Sequence, residues 1–179
     1  MEMRKDDHKA VFGIYESRAA VEAGVERLKA DAFSASDISV LIPERGGSEK
    51  FAHDNSTKAP EGATAGAGTG LVLGGALGWL VGIGSLAIPG VGPFIAAGPI
   101  LAAMAGAGAG AALGGIAGGL VGMGIPEYEA KRYETFVKNG GILLSVHAAN
   151  SDLIKRAKTI LEQTGARDIS TNSEVSEAH

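Results

Sequence analysis

The side chains best suited to chemistry are few and scattered. His53 stands beside Asp54, a pairing that in an active site could move a proton or help hold a metal. It falls in a run of Gly, Ser, Asn, Lys and Pro with no second ligand cluster nearby, so it reads as part of a solvated loop. His147 lies in an apolar, strand-like run where nothing marks a partner, and reads as a structural or surface residue. Asp37, Glu44, Glu127 and Glu129 fall where turns and helix starts are expected, which explains them as caps and solvated faces. The chain has no cysteine, which removes thiolate chemistry and disulfides. No catalytic, cofactor-binding or metal-binding residue is assigned, and the chain reads as non-enzymatic.

What the sequence repeats is glycine. From Gly62 to Ile125 there is no Asp, Glu, Lys, Arg or His. Glycine recurs every fourth residue at Gly62, Gly66, Gly70, Gly74, Gly78 and Gly82. It does so again at Gly98, Gly106, Gly110, Gly114, Gly118 and Gly122, with Ala102 filling the gap. Residues four apart share one face of an α-helix, so each series would present a groove of bare backbone for helix packing or oligomerisation. In water each interior Gly costs roughly 0.8 to 1.0 kcal/mol against Ala, so such helices need tight packing or lipid. Thr64 to Ser85 and Ile100 to Gly124 each match the ~20 residues of a bilayer crossing. Pro89, Gly90, Gly92, Pro93 and Pro99 between them would supply the hairpin turn. Gly66, Gly70, Gly74 and Gly78 would then face Gly106, Gly110, Gly114 and Gly118.

The flanks read as one small domain cut in two, residues 10–43 and 126–172. A strand at Ala10 to Tyr15 leads to a helix capped by Ser17, with Val21, Val25, Leu28 and Ala32 on one face, and then to a strand at Ile38 to Ile42 ended by Pro43. Residues 44–61 form a flexible linker. After the block, Pro126 opens a helix to about Lys138, closed by Gly140. Gly141 to Ala148 is a strand. Asn150 or Ser151 caps a helix carrying Leu153, Ile154, Ala157, Ile160 and Leu161 and ending at Gly165. Asp168 to Thr171 is a weaker strand, and 173–179 a frayed tail. Two β-α-β halves in one antiparallel sheet predict an α+β, ferredoxin-like sandwich with helices on one face and the other free, interrupted by a long Gly/Ala-rich antiparallel helical hairpin.

A net charge of -4 gives no clustered basic surface for nucleic acid. The charged amino terminus is unlike a secretory signal, and Lys50, Lys58, Lys131, Arg132 and Lys138 around the block favour a cytoplasmic side for both flanks.

The run from Ile88 to Leu101 (Ile-Pro-Gly-Val-Gly-Pro-Phe-Ile-Ala-Ala-Gly-Pro-Ile-Leu), the Gly/Ala segment after it, Gly124-Ile-Pro-Glu-Tyr-Glu-Ala-Lys-Arg-Tyr-Glu and Gly140-Gly-Ile-Leu-Leu-Ser-Val-His together resemble the bacterial general stress protein family. Its members are described as heat-induced or low-temperature-induced and carry a glycine-zipper hairpin inside a small α/β domain. The resemblance covers nearly all of residues 10–172 and implies a stress-associated, non-catalytic protein with no cofactor. The expectation is a homo-oligomer that inserts in or binds the inner membrane at its cytoplasmic face, with lipid as second partner and no small-molecule substrate. The alternative is a cytoplasmic homo-oligomeric scaffold or filament whose hairpins pack on each other without lipid.

Overall fold

A computed structural model describes residues 9–43, 77, 80, 84–88, 92–100 and 115–173 of the chain. The fold is α+β. Its strands are β1 (Lys9–Tyr15), β2 (Ile38–Pro43), β3 (Gly84–Ile88), β4 (Gly92–Ala97), β5 (Ile142–Ala148) and β6 (Arg167–Ser173). Its helices are α1 (Arg18–Ala30), α2 (Gly115–Gly122), α3 (Glu127–Lys138) and α4 (Ser151–Gln163).

Local chemistry sets the helix ends. The Ser17 Oγ accepts from the Ala20 amide at 3.2 Å and starts α1. Asn150 Oδ1 accepts from Asp152 N at 3.1 Å and Leu153 N at 2.9 Å and starts α4. Pro126 precedes α3, with Glu127 and Glu129 in the first turn, where the helix dipole favours anions. Gly140 (φ 99°) and Gly165 (φ 91°) let the chain leave α3 and α4 through the left-handed region. α1 stops at Ala30, short of the expected Ala32, which is exposed with φ 66°. Phe33 is the buried residue there instead.

The strands form one six-stranded sheet in the order β3-β4-β2-β5-β1-β6, with every neighbouring pair antiparallel. Its central strands are apolar at successive positions, so both faces need cover. On one face Val11, Tyr15, Val40, Leu144 and Val146 pack with Val21, Val25 and Leu28 of α1 and Ala157, Ile160 and Leu161 of α4. On the other, Phe12, Ile14, Leu41, Phe94 and Leu143 pack with Ile116 and Leu120 of α2 and Ala130, Tyr133 and Val137 of α3. The second face is therefore closed by the chain itself, not left free as expected. Ala10, Phe12 and Ile14 of β1, Leu41 of β2 and Leu143 of β5, apolar on this side of the sheet as well, are the reason.

The glycine block differs most from expectation. Gly84 and Ser85 lie in β3, and Gly92 and Pro93 in β4, so the chain reverses here between two strands rather than two helices. β4 pairs along β2 from Val40↔Ala97 to Pro43↔Phe94, extending the sheet outward from the domain's first half. Pro-Gly before Val-Gly serves a strand reversal as well as a helical one, and Phe94 and Ile95 favour the pleated surface. Leu77 and Leu80 are buried in the core on the α1 and α4 face. The expected second helix is interrupted at Gly115, whose φ of 64° no continuous α-helix tolerates. Among the described residues no helix is long and apolar enough to cross a membrane.

Candidate functional site

Three members of the two glycine series fall within the described residues, and they have different roles. Gly98 is a conformational glycine with φ 77°, and a Cβ there would stand 2.3 Å from the Ile38 carbonyl oxygen and 2.8 Å from Ser39 Oγ. That close approach lets β4 end against β2 and the chain turn away. Pro99 and Ile100 open a helical turn, and the Ile100 amide donates to the buried Ser39 Oγ at 3.3 Å. Gly118 is half-buried and Gly122 exposed, one turn apart on α2. A Cβ at Gly122 would meet nothing within 4 Å. Gly62, Gly66, Gly70, Gly74, Gly78, Gly82, Ala102, Gly106, Gly110 and Gly114 lie outside the described residues, as do Pro89, Gly90, and His53 with Asp54.

The described apolar residues beside the two series lie on opposite sides of the sheet. Leu77 and Leu80, which bracket Gly78 in sequence, belong to the core beneath α1 and α4. Ile116 and Leu120, which bracket Gly118, belong to the core beneath α2 and α3. The sheet therefore lies between Leu77 and Leu80 on one side and Ile116 and Leu120 on the other, while the expected facing partners Gly66, Gly70, Gly74 and Gly78, and Gly106, Gly110 and Gly114, lie outside the described residues.

α2 is a weak helix by composition, with four glycines in eight residues. Two things hold it. Ile116, Ala117 and Leu120 are buried, and the Glu134 carboxylate of α3 accepts from the Ala117 amide at 2.6 Å. This is a tertiary cap, in which an acid from a neighbouring helix meets an amino-terminal donor that α2 cannot satisfy itself. Lys138 holds the other carboxylate oxygen, Nζ to Oε1 being 2.6 Å.

The rest of α3 is tied to β6 by a polar cluster. Arg132 pairs with Asp168, and the Tyr133 hydroxyl is hydrogen-bonded with Ser170 and the Asp168 carbonyl. Glu129 accepts from Asn172 Nδ2 at 2.7 Å and from Ser170 Oγ at 3.3 Å. Asp168 has φ 55° and, with Ile169, lies opposite Gly13 where the β1–β6 register slips, which makes a bulge. Burial raises the Tyr133 hydroxyl above its ordinary 10.0, against a lowering by the Ser170 bond. On the opposite face burial likewise raises Tyr15, whose hydroxyl lies 2.7 Å from Thr164 Oγ1. The outward side of α3 exposes Tyr128 (75%) and Phe136 (39%).

These groups are engaged with each other in ways that position helices. Glu129 joins the cluster on β6, Glu127 pairs with Lys131, and Asp37 lies in a one-turn helix before β2. His147 sits half-buried on β5 opposite Ala10. Among the described residues no group of His, Cys, Asp and Glu could hold a metal. Sequence reasoning missed Glu134, Tyr133 and Asp168. Only Glu134 left a trace, as an acid four residues before Lys138. Comparison with family models, with curated proteins and with solved structures finds no match.

Proposed function

We propose that this chain is a non-enzymatic, stress-associated protein with a ferredoxin-like domain that works by self-association through its Gly/Ala-rich segments. The stress setting rests on the family resemblance of the motifs between Ile88 and His147. The ferredoxin-like reading is supported by the strand order. Without the added strands β3 and β4, the sheet runs β2-β5-β1-β6, with α1 following β1 and α4 following β5 on one shared face. That is the split β-α-β arrangement.

The observation that supports self-association is that Leu77 and Leu80, beside the first glycine series, and Ile116 and Leu120, beside the second, lie on opposite faces of the sheet. With those anchors on opposite sides of the sheet, another copy is a ready partner to bury the small-residue faces of the two series. Gly74→Leu and Gly110→Leu are expected to reduce assembly size in sedimentation velocity while the far-ultraviolet circular dichroism stays unchanged. A wild-type chain that sediments as a monomer at every concentration would overturn the reading.

A bilayer is the second partner, favoured by the absence of any ionisable side chain from Gly62 to Ile125. With Leu77 and Leu80 in the core and β3 beginning at Gly84, the first segment falls short of the ~20 residues of a crossing, so contact at the cytoplasmic face would reach one leaflet. Fractionation with an alkaline wash tests it. Complete recovery in the soluble fraction without detergent excludes the membrane.

A further inference from the structure

We propose that the outer edge of β3 pairs with β3 of a second copy, joining two six-stranded sheets into one about a two-fold axis through Leu86. The proposal shares with the self-association reading only its partner, and uses a different surface.

The two edges of the sheet are unlike. β6 carries Arg167 and Asp168, is kinked by the bulge opposite Gly13, and has Asp168, Ser170 and Asn172 held by α3. Charge and a bulge are how proteins keep an edge from adding strands. β3 at the other end is five residues, Gly-Ser-Leu-Ala-Ile, with neither a charge nor a proline. It pairs with β4 on one side, and among the described residues no strand lies on the other. Its outward backbone groups form a template for one more strand.

The sequence of β3 suits its own copy. In an antiparallel pair centred on Leu86, Ser85 stands opposite the partner's Ala87 and Gly84 opposite the partner's Ile88. No like charges oppose, and each glycine meets a large apolar residue. A two-fold axis normal to the sheet keeps the α1 and α4 layer of both copies on one side and the α2 and α3 layer on the other. Neither covered face is opened. Residues 44–61, rich in Gly, Ser, Asn, Lys and Pro, and residues 102–112, all Ala, Gly or Met, are poor strand formers, which leaves the short apolar run Leu71 to Leu73 as the same-chain competitor that hydrogen exchange separates from a second copy.

Because the chain lacks cysteine, Leu86→Cys introduces a single thiol. Antiparallel neighbours have Cα atoms ~4.5 to 5.5 Å apart, within the span of a disulfide. Mild oxidation of the full-length variant is expected to give a covalent dimer, and Arg167→Cys on β6 none. Ser85→Lys, checked for folding by circular dichroism, is expected to weaken dimerisation at least tenfold in sedimentation equilibrium. An L86C chain that stays monomeric on oxidation while the wild type still assembles overturns the edge pairing and spares the glycine-mediated reading. A wild type that never assembles overturns both. β3 amides protected from hydrogen exchange in a monomeric chain would place a segment of the same chain on the edge, and also overturn it.

Discussion

The Glu134 carboxylate accepts a hydrogen bond from the Ala117 amide, so an acid on one helix starts another seventeen positions earlier in the chain. Removing the carboxylate leaves the first turn of α2 with an unsatisfied donor over a partly buried site. Glu134→Ala is expected to destabilise the fold by about 0.5 to 2 kcal/mol, the range for losing an amino-terminal cap. Exchange at the Ala117 amide should rise at least tenfold, whereas Glu134→Gln keeps an acceptor and should fall between. Unchanged exchange at Ala117 in the alanine variant would show that apolar packing alone holds α2.

Gly98 and Gly122 should respond in opposite directions. At Gly98 a methyl group meets the Ile38 carbonyl in a backbone conformation that L-residues rarely adopt, so Gly98→Ala should cost on the order of 2 kcal/mol or more. At Gly122 a methyl group meets open space on a helix, and Gly122→Ala should gain about 0.5 to 1 kcal/mol. Chemical denaturation of both variants checks the signs.

Much of this fold could be read from local chemistry. Ser17, Pro126, Gly140, Asn150 and Gly165 mark helix ends because each acts within a few residues of itself. β3 and α2 could not be read this way. Gly84 to Ile88 is too short and too uniformly apolar to declare a period, and it is a strand only because β4 lies beside it and β2 beyond. Gly115 looks like its neighbours in sequence, yet its backbone is left-handed where that of Ile116 to Gly122 is helical. Gly98 sits in a packing series by spacing but is required by conformation. Glu134 became an interacting acid only once α2 and α3 packed together.

The close approach of α1 to β1 depends on Gly24. A Cβ there would stand 2.6 Å from the Tyr15 hydroxyl oxygen and displace it from Thr164. Thr164 Oγ1 donates to the Ile160 carbonyl at 2.8 Å, so the Tyr15 hydroxyl is the donor in the pair. Gly24→Ala should cost about 1 to 3 kcal/mol, as overpacking does. In the Tyr15→Phe background the same change should cost less. Strict additivity in that double-mutant cycle would break the link.

Alkaline pH should unfold the protein earlier than its charge balance suggests. Burial raises the Tyr15 and Tyr133 hydroxyls above the ordinary 10.0. With folded values above unfolded ones, the stabilisation they give is complete below pH 10 and is lost as pH rises through the folded values. Denaturation midpoints should fall above pH 10, and fall less in Tyr133→Phe. A flat profile up to pH 11.5 would contradict this.

β5 lies between β1 and β2, and β1 has β6 as its other neighbour. During synthesis the amino-terminal β-α-β unit therefore leaves the ribosome with a gap where its middle strand belongs. It waits for the whole glycine-rich segment to be translated before Ile142 to Ala148 arrive. At about 5 to 20 residues per second, that delay lasts on the order of 5 to 20 seconds. Nascent chains stalled before Ile142 are expected to be protease-sensitive and held by chaperones, and chains stalled after Ser173 has cleared the exit tunnel to be protected. The strand order thus gives the protein a vulnerable interval in every round of synthesis, set by the length of its own insertion.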